Sequence, residues 1–114
     1  MPKPFIDDLD PETIDWTPIE GEEGLWQKIL SMDEETGDHT RLLKIAPGFK
    51  SDKVLVHDFW EEVFLVSGTV YDHTMGKTVV TGTYSNLPPG TEHGPYSSED
   101  GCLTLEVRYG TPRR

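Results

Sequence analysis

His57, Glu61 and His93 are the side chains whose types and spacing could act together chemically. Two imidazole nitrogens and one carboxylate oxygen can occupy one face of a divalent ion. That is the facial triad associated with non-haem Fe(II), which leaves up to three positions for water, substrate or O₂. His57 and Glu61 share strand parity, but in one continuous strand they would stand roughly 13 Å apart. Two ligands on one metal, each at roughly 2.1 Å, must lie about 3 Å from one another. A shared metal therefore requires the chain to bend back, and Asp58-Phe59-Trp60 is the segment that would do so. Glu61 would then open the next strand, and Gly68 would end it. His93 follows Leu87-Pro88-Pro89-Gly90, a turn whose fixed φ and permissive glycine redirect the chain sharply. Spacing permits convergence of the three without dictating it.

Each of these residues also has a plainer reading. His57 could sit on a solvated hairpin, and Glu61 with Glu62 could be an exposed acidic pair. Only one of that pair can face inward. His39, beside Asp38, is expected at the surface, with an inward-facing ligand as the alternative. His73, in the polar hairpin Tyr71 to Lys77, is expected in solvent. Arg41, Tyr84, Tyr96, Glu106 and Arg108 could line a pocket or lie on a barrel surface or rim. Phe59, Trp60, Phe64 and Tyr96 suit core or interface. The single cysteine, Cys102, enters an apolar strand and reads as a buried, inert thiol. There is no Gly-x-Ser-x-Gly elbow, phosphate-cradling loop or dinucleotide fingerprint.

The elements that must position these groups read as short strands. They are 25–30, 39–46, 54–57, 61–67, 78–80, 82–85 and 103–109, nearly all bounded by Gly, Pro or acidic turn residues. Asp33 to Asp38 is a turn. No segment holds a helical period for three turns, and there is no repeat or low-complexity block. Many short strands with regular turns imply an all-β sandwich, jelly roll or barrel. Residues 1–24 read as an acidic, Pro-containing arm. Ile14, Trp16 and Ile19 would anchor it to the barrel or to a second subunit, with residues 25–114 as the barrel itself.

At 114 residues the chain has room for one core. Its formal charge of −11 argues against nucleic acid and against an anionic membrane surface, and Arg113-Arg114 is its only basic pair. No apolar run approaches a spanning helix, and Met1-Pro2-Lys3-Pro4 does not open a signal peptide. One cysteine allows no internal disulfide and no Cys-rich zinc site. A cytoplasmic location is the expectation.

Two segments resemble the paired motifs of the cupin superfamily. His57, Glu61 and Gly68 fit the second half of the first motif, H-x(3,4)-E-x(6)-G. Gly82, Pro88, Gly90 and His93 fit the second motif, G-x(5)-P-x-G-x(2)-H, up to its last residue. Glu61 through Gly68, and Pro88 through Leu103, are similar more narrowly to the ChrR-like cupins. The resemblance spans about residues 16 to 109. Leu55 stands where the motif has its first histidine, and Ser97 stands at the final Asn position. The resemblance implies a double-stranded β-helix, or jelly-roll barrel. It further implies a divalent metal, Fe(II) first with Zn, Mn or Ni as alternatives, held by His57, Glu61 and His93. The implied activity is that of a small-molecule metalloenzyme, such as a dioxygenase cleaving a C–C bond in a diketone or hydroxyketone. A ligand-sensing module is the alternative from another class. A third reading is a metal-independent isomerase, lyase or cyclase using His93 and Glu61 as an acid–base pair. Cupins commonly form homodimers, so a second copy is the expected partner.

Overall fold

The computed structural model describes residues 2–112; Arg113 and Arg114, the basic pair of the tail, lie outside the described residues. The described residues are all-β apart from one turn of 3₁₀ helix at Pro11–Thr13. Its strands are β1 (Thr17–Pro18), β2 (Leu25–Met32), β3 (His39–Ile45), β4 (Phe49–Lys50), β5 (Leu55–Val56) and β6 (Trp60–Asp72). They continue with β7 (Lys77–Val80), β8 (Tyr84–Leu87), β9 (Glu92–His93), β10 (Tyr96–Ser98) and β11 (Cys102–Tyr109). The main sheet runs β1-β2-β3-β11-β6-β10-β4, with β7 and β8 also on β6, and β5 pairs with β9 as a separate ribbon. All pairings are antiparallel. The sheet curls on itself as a jelly roll, as expected. Among the described residues no helix is long and apolar enough to cross a membrane.

Strand β6 departs most from the expectation, because it does not end at Gly68. Its first half lies between β11 and β8, and its second half lies between β7 and β10. The handover needs a bend. Leu103 faces Ser67 and Thr104 faces Leu65, so Val66 is an extra, bulged residue. Gly68 follows at φ 86°, and a Cβ there would stand 2.2 Å from the Gly101 carbonyl oxygen. Only glycine fits both constraints. The bulge also switches inward parity. Glu61 and Leu65 are buried before it, whereas Val70 and Asp72 are buried after it.

The other differences are smaller. Gly82 sits in a turn, and the strand expected at 82–85 is 84–87. Of the expected strand 54–57 only Leu55–Val56 pairs. β4, β9 and β10 are two or three residues long, too short to show an alternating pattern. His39 does not face solvent. It shares inward parity with the buried Arg41, Leu43 and Ile45, and its Nε2 is shielded from water.

The interior has an apolar end and a polar end. Leu43, Ile45, Leu65, Val70 and Cys102 form the core, backed by Leu25, Phe49, Val79 and Tyr96. Burial pushes the Cys102 thiol up to about 11, as suits an inert group. Residues 2–24 run along the outside of β2 and β3. Trp16 lies 4.6 Å from each of the Lys28 and Lys44 ammonium groups, and Lys28 donates to the Pro11 carbonyl at 2.9 Å. Lys3 reaches Thr40 Oγ1 at 2.7 Å.

Replacing Gly68 by Ala adds left-handed strain and a backbone clash. The variant is expected to lose at least about 2 kcal/mol of stability, read as a lower urea midpoint at unchanged m-value.

Candidate metal centre

Two chain crossings bring the three candidate residues together. After β5, Asp58-Phe59 turns the chain so that His57 and Glu61 approach one end of the barrel. Leu55 pairs directly with His93, and the Gly90 N–H donates to the His57 carbonyl at 2.9 Å. The Pro-Pro-Gly turn is thereby tied to the first motif. One ligand atom from each of His57, Glu61 and His93 lies within 4.8 Å of the others. Adjacent ligands on one ion, each at about 2.1 Å, stand about 3 Å apart, so side-chain rotation must draw the three atoms closer for them to share one. Leu55, on the site's own ribbon, supplies no donor atom.

Glu61 and His93 are 4% and 3% exposed, and His57 is half-buried. The Nε2 atoms of both histidines are shielded from water and have no hydrogen-bond partner. An unmet buried polar atom costs about 1–3 kcal/mol. A cation shared by both nitrogens would remove that cost, so the donor set fits a divalent metal. The histidines are also in the right protonation state. Burial, then repulsion from Arg108 and His93, holds His57 down to about 4. Burial lowers His93 as well, against an opposing pull from Asp72. Both rings are therefore neutral near pH 7, with a lone pair available. His57 stacks on Phe59 at 4.6 Å and meets His93 edge-on at 5.0 Å.

Glu61 belongs to a buried charge ladder. Arg108, opposite it across β6 and β11, donates from Nε to Glu61 Oε2 at 2.6 Å. Arg108 lies 3.8 Å from Glu106, and Glu106 accepts from Arg41 at 2.8 and 2.9 Å. Arg41 ends the ladder on Gln27 Oε1 at 2.7 Å. Burial and the Glu106 charge raise Glu61, while Arg108 opposes both. Of the five pocket-or-rim residues in the sequence reading, Arg41, Glu106 and Arg108 face this interior. Tyr96 bonds His93 Nδ1 through its hydroxyl, and its phenol is pushed up by burial and by Asp72. Tyr84 faces outward and donates to Glu62. His39, register partner of Arg108, borders the ladder but is not within ligand reach of the triad. His73 lies in solvent, bonded to Ser97 Oγ at 3.1 Å.

The sequence reading did not single out Asp72, which is 4% exposed and accepts the Gly94 N–H beside His93 at 3.1 Å. It also missed the role of Phe59, whose ring supports His57 on one contact and the Arg108 guanidinium at 5.1 Å on another.

Because Arg108 holds the carboxylate that a cation would share, Arg108→Gln should raise Zn²⁺ affinity by about tenfold in calorimetric titration. The same variant should lower the melting temperature of the metal-free protein, since Glu61 and Glu106 lose their shared counter-charge.

No curated protein matches this sequence. Several solved structures share the fold. An RmlC-like cupin from Shewanella frigidimarina aligns with TM-score 0.76 at 19% identity, over 100% of this chain and 96% of that one. A putative acetylacetone dioxygenase from Methylibium petroleiphilum aligns with TM-score 0.78 at 18% identity, over 93% of this chain and 78% of that one. The polyketide cyclase RemF from Streptomyces resistomycificus aligns with TM-score 0.73 at 12% identity, over 96% and 83%. At these identities the likeness is one of architecture. The sequence profile of the ChrR Cupin-like domain, in contrast, matches residues 8–110. The chain belongs to the ChrR Cupin-like domain family.

Proposed function

We propose that this chain is a metal-dependent enzyme of the cupin type that cleaves a C–C bond in a small diketone or hydroxyketone with O₂. The observation that carries the metal reading is the pair of buried, partnerless Nε2 atoms on His57 and His93, gathered with a Glu61 oxygen within 4.8 Å. The reaction class leans on fold likeness to proteins described as acetylacetone dioxygenases. A divalent ion, Fe(II) first, would supply Lewis acidity and a common anchor for substrate and O₂. The chain's own residues do the rest. His57 and His93 offer neutral donors, and Phe59 holds one imidazole and one guanidinium in place. Arg108, once its bond to Glu61 is given up, would offer a guanidinium to an enolate or another anionic oxygen. Incorporating both oxygen atoms of O₂ at the broken bond of a 1,3-diketone gives one carboxylic acid and one 2-oxoaldehyde. That balance needs no further reductant.

The Arg108–Glu61 bond favours a second reading, because it already engages one of the three candidate ligands. In that reading the protein works without metal, as an isomerase, lyase or cyclase, with His93 and Glu61 moving a proton. Tag-free protein reconstituted with Fe(II) decides between them. The metalloenzyme should bind close to one equivalent and consume O₂ with a 1,3-diketone. Less than a tenth of an equivalent of Fe, Mn, Ni, Co or Zn would overturn it. Turnover that survives strong chelators but is lost in His93→Ala would establish the second reading instead.

We also propose that the chain forms a homodimer. The outward face of β6, β8 and β11 leaves Trp60, Phe64, Val66, Tyr84 and Tyr109 between 36% and 59% exposed. The arm of the same chain leaves Phe5 92% exposed, so one sequence carries two uncovered apolar surfaces. Sedimentation should give a dimer mass, and Phe64→Glu with Val66→Glu should give a folded monomer. A monomeric wild type would sink this assignment.

A further inference from the structure

We infer that His39 is a positioning residue for the site, its bare Nε2 being the second acceptor to which Arg108 turns when Glu61 is given to a cation. The inference rests on the metal-site reading for its purpose, but the exchange itself can be read without any metal.

The proton on His39 comes first. Its Nδ1 lies 2.8 Å from the Gly37 carbonyl oxygen, and a carbonyl can only accept. Nδ1 therefore carries the hydrogen and Nε2 keeps its lone pair. Burial lowers the basicity of the ring, so it stays neutral near pH 7. Nε2 is shielded from water and has no hydrogen-bond partner. It is an unused acceptor inside the barrel.

Few donors can reach it. One row of register partners crosses four strands, from Met32 on β2 through His39 on β3 and Arg108 on β11 to Glu61 on β6. Directly opposed side chains share a face of the sheet and stand about 5 Å apart at Cβ. Met32 has no N–H or O–H to give. Arg41, two residues along β3, is spent on Glu106 and Gln27. Arg108 is left. Among the described residues its side chain makes one hydrogen bond, from Nε to Glu61 Oε2, so most of its five N–H groups are unspent. It stands between a carboxylate on one flank and an imidazole lone pair on the other.

Glu61 can serve a cation only by loosening its bond to Arg108. That would leave a half-buried guanidinium without its closest counter-charge, a cost that lowers metal affinity. A neutral acceptor one strand away removes part of the cost. One N–H of the fork turns to His39, and others stay open to an anionic oxygen. His39 touches neither cation nor substrate in this scheme; it acts through Arg108.

A double-mutant cycle in Zn²⁺ affinity, read by calorimetry on tag-free protein, tests the exchange. His39→Phe should weaken Zn²⁺ binding about tenfold. His39→Gln, whose amide oxygen can accept in its place, should recover most of that loss. In the Arg108→Met background no guanidinium needs a second acceptor, so His39→Phe should change affinity by less than about twofold. An equal loss in both backgrounds overturns the inference, since His39 would then act on the cation or on the fold. Long-range ¹H–¹⁵N spectra of metal-free protein give a second readout. Wild type should show His39 protonated at Nδ1 with an unbonded Nε2. Glu61→Leu, which removes the carboxylate, should move the Nε2 resonance upfield as it accepts from Arg108. Glu61→Gln, a weaker acceptor than the carboxylate, should move it less and serves should the first variant not fold. His39 protonated at Nε2, or an Nε2 resonance unmoved in the folded Glu61 variants, overturns the exchange. A resonance that moves while no protein binds Zn²⁺ upholds it and removes the metal-site reading alone.

Discussion

The polar end of this barrel depends on mutual neutralisation of four charges, three of them buried and the fourth, Arg108, half-buried. Arg41, Glu106, Arg108 and Glu61 sit on neighbouring strands and alternate in sign, so each carboxylate has a guanidinium beside it. Arg41, Glu106 and Glu61 are all below 10% exposed. Taking one partner away would strand a charge, at about 3–5 kcal/mol. Replacing the whole ladder by apolar side chains would cost little or nothing by the same reasoning. Stability alone therefore does not account for a charged interior in a chain whose buried apolar core is five residues. The ladder terminates at Glu61, beside two neutral imidazoles with unmet nitrogens. Its position is what gives it a functional meaning.

The sheet register delivers these groups. Antiparallel pairing puts Arg41 opposite Glu106 and Arg108 opposite Glu61, so the ladder follows two cross-strand rows joined by a step along β11 from Glu106 to Arg108. His39 continues the same row on β3 as the partner of Arg108. A slip by one residue in β11 would turn Glu106 and Arg108 outward together. The bulge at Val66 confines the ladder to the first half of β6. Beyond it the inward positions fall to Val70 and Asp72, which serve the core and the His93 support.

This geometry explains what could be read from the sequence and what could not. His57, Glu61 and His93 were legible because glycine and proline punctuate them at fixed intervals, and turn chemistry is local. Glu61 was separable from Glu62 for the same reason. The burial of Asp72 was not legible. Counting alternate residues from Glu61 puts position 72 on the outer face, and only a bulge, set by pairing with a strand some 35 residues later, reverses it. Tyr96 was visible as an aromatic, but its bond to His93 depends on β10, which is three residues long. His39 was misplaced because its neighbour Asp38 suggested solvent, while the pairing of β3 with β2 and β11 on both sides decided its burial.

Two kinds of support therefore converge on the candidate ligands, and they act differently. Glu61 is held by a charge, which must be shared or given up if the carboxylate is to serve a cation. His93 is held by a neutral hydroxyl on its far nitrogen, a contact that a bound cation would leave untouched. His57 is held by stacking on Phe59, which restricts ring orientation without engaging either nitrogen. The histidines thus meet a cation with their acceptor atoms free, whereas the carboxylate meets it in competition with Arg108. With Leu55 in place of a further imidazole, most of the affinity must come from the two nitrogens. The guanidinium released from Glu61 would then lie at the site's edge, charged and already braced by Phe59, where an anionic substrate oxygen could take the place of the carboxylate.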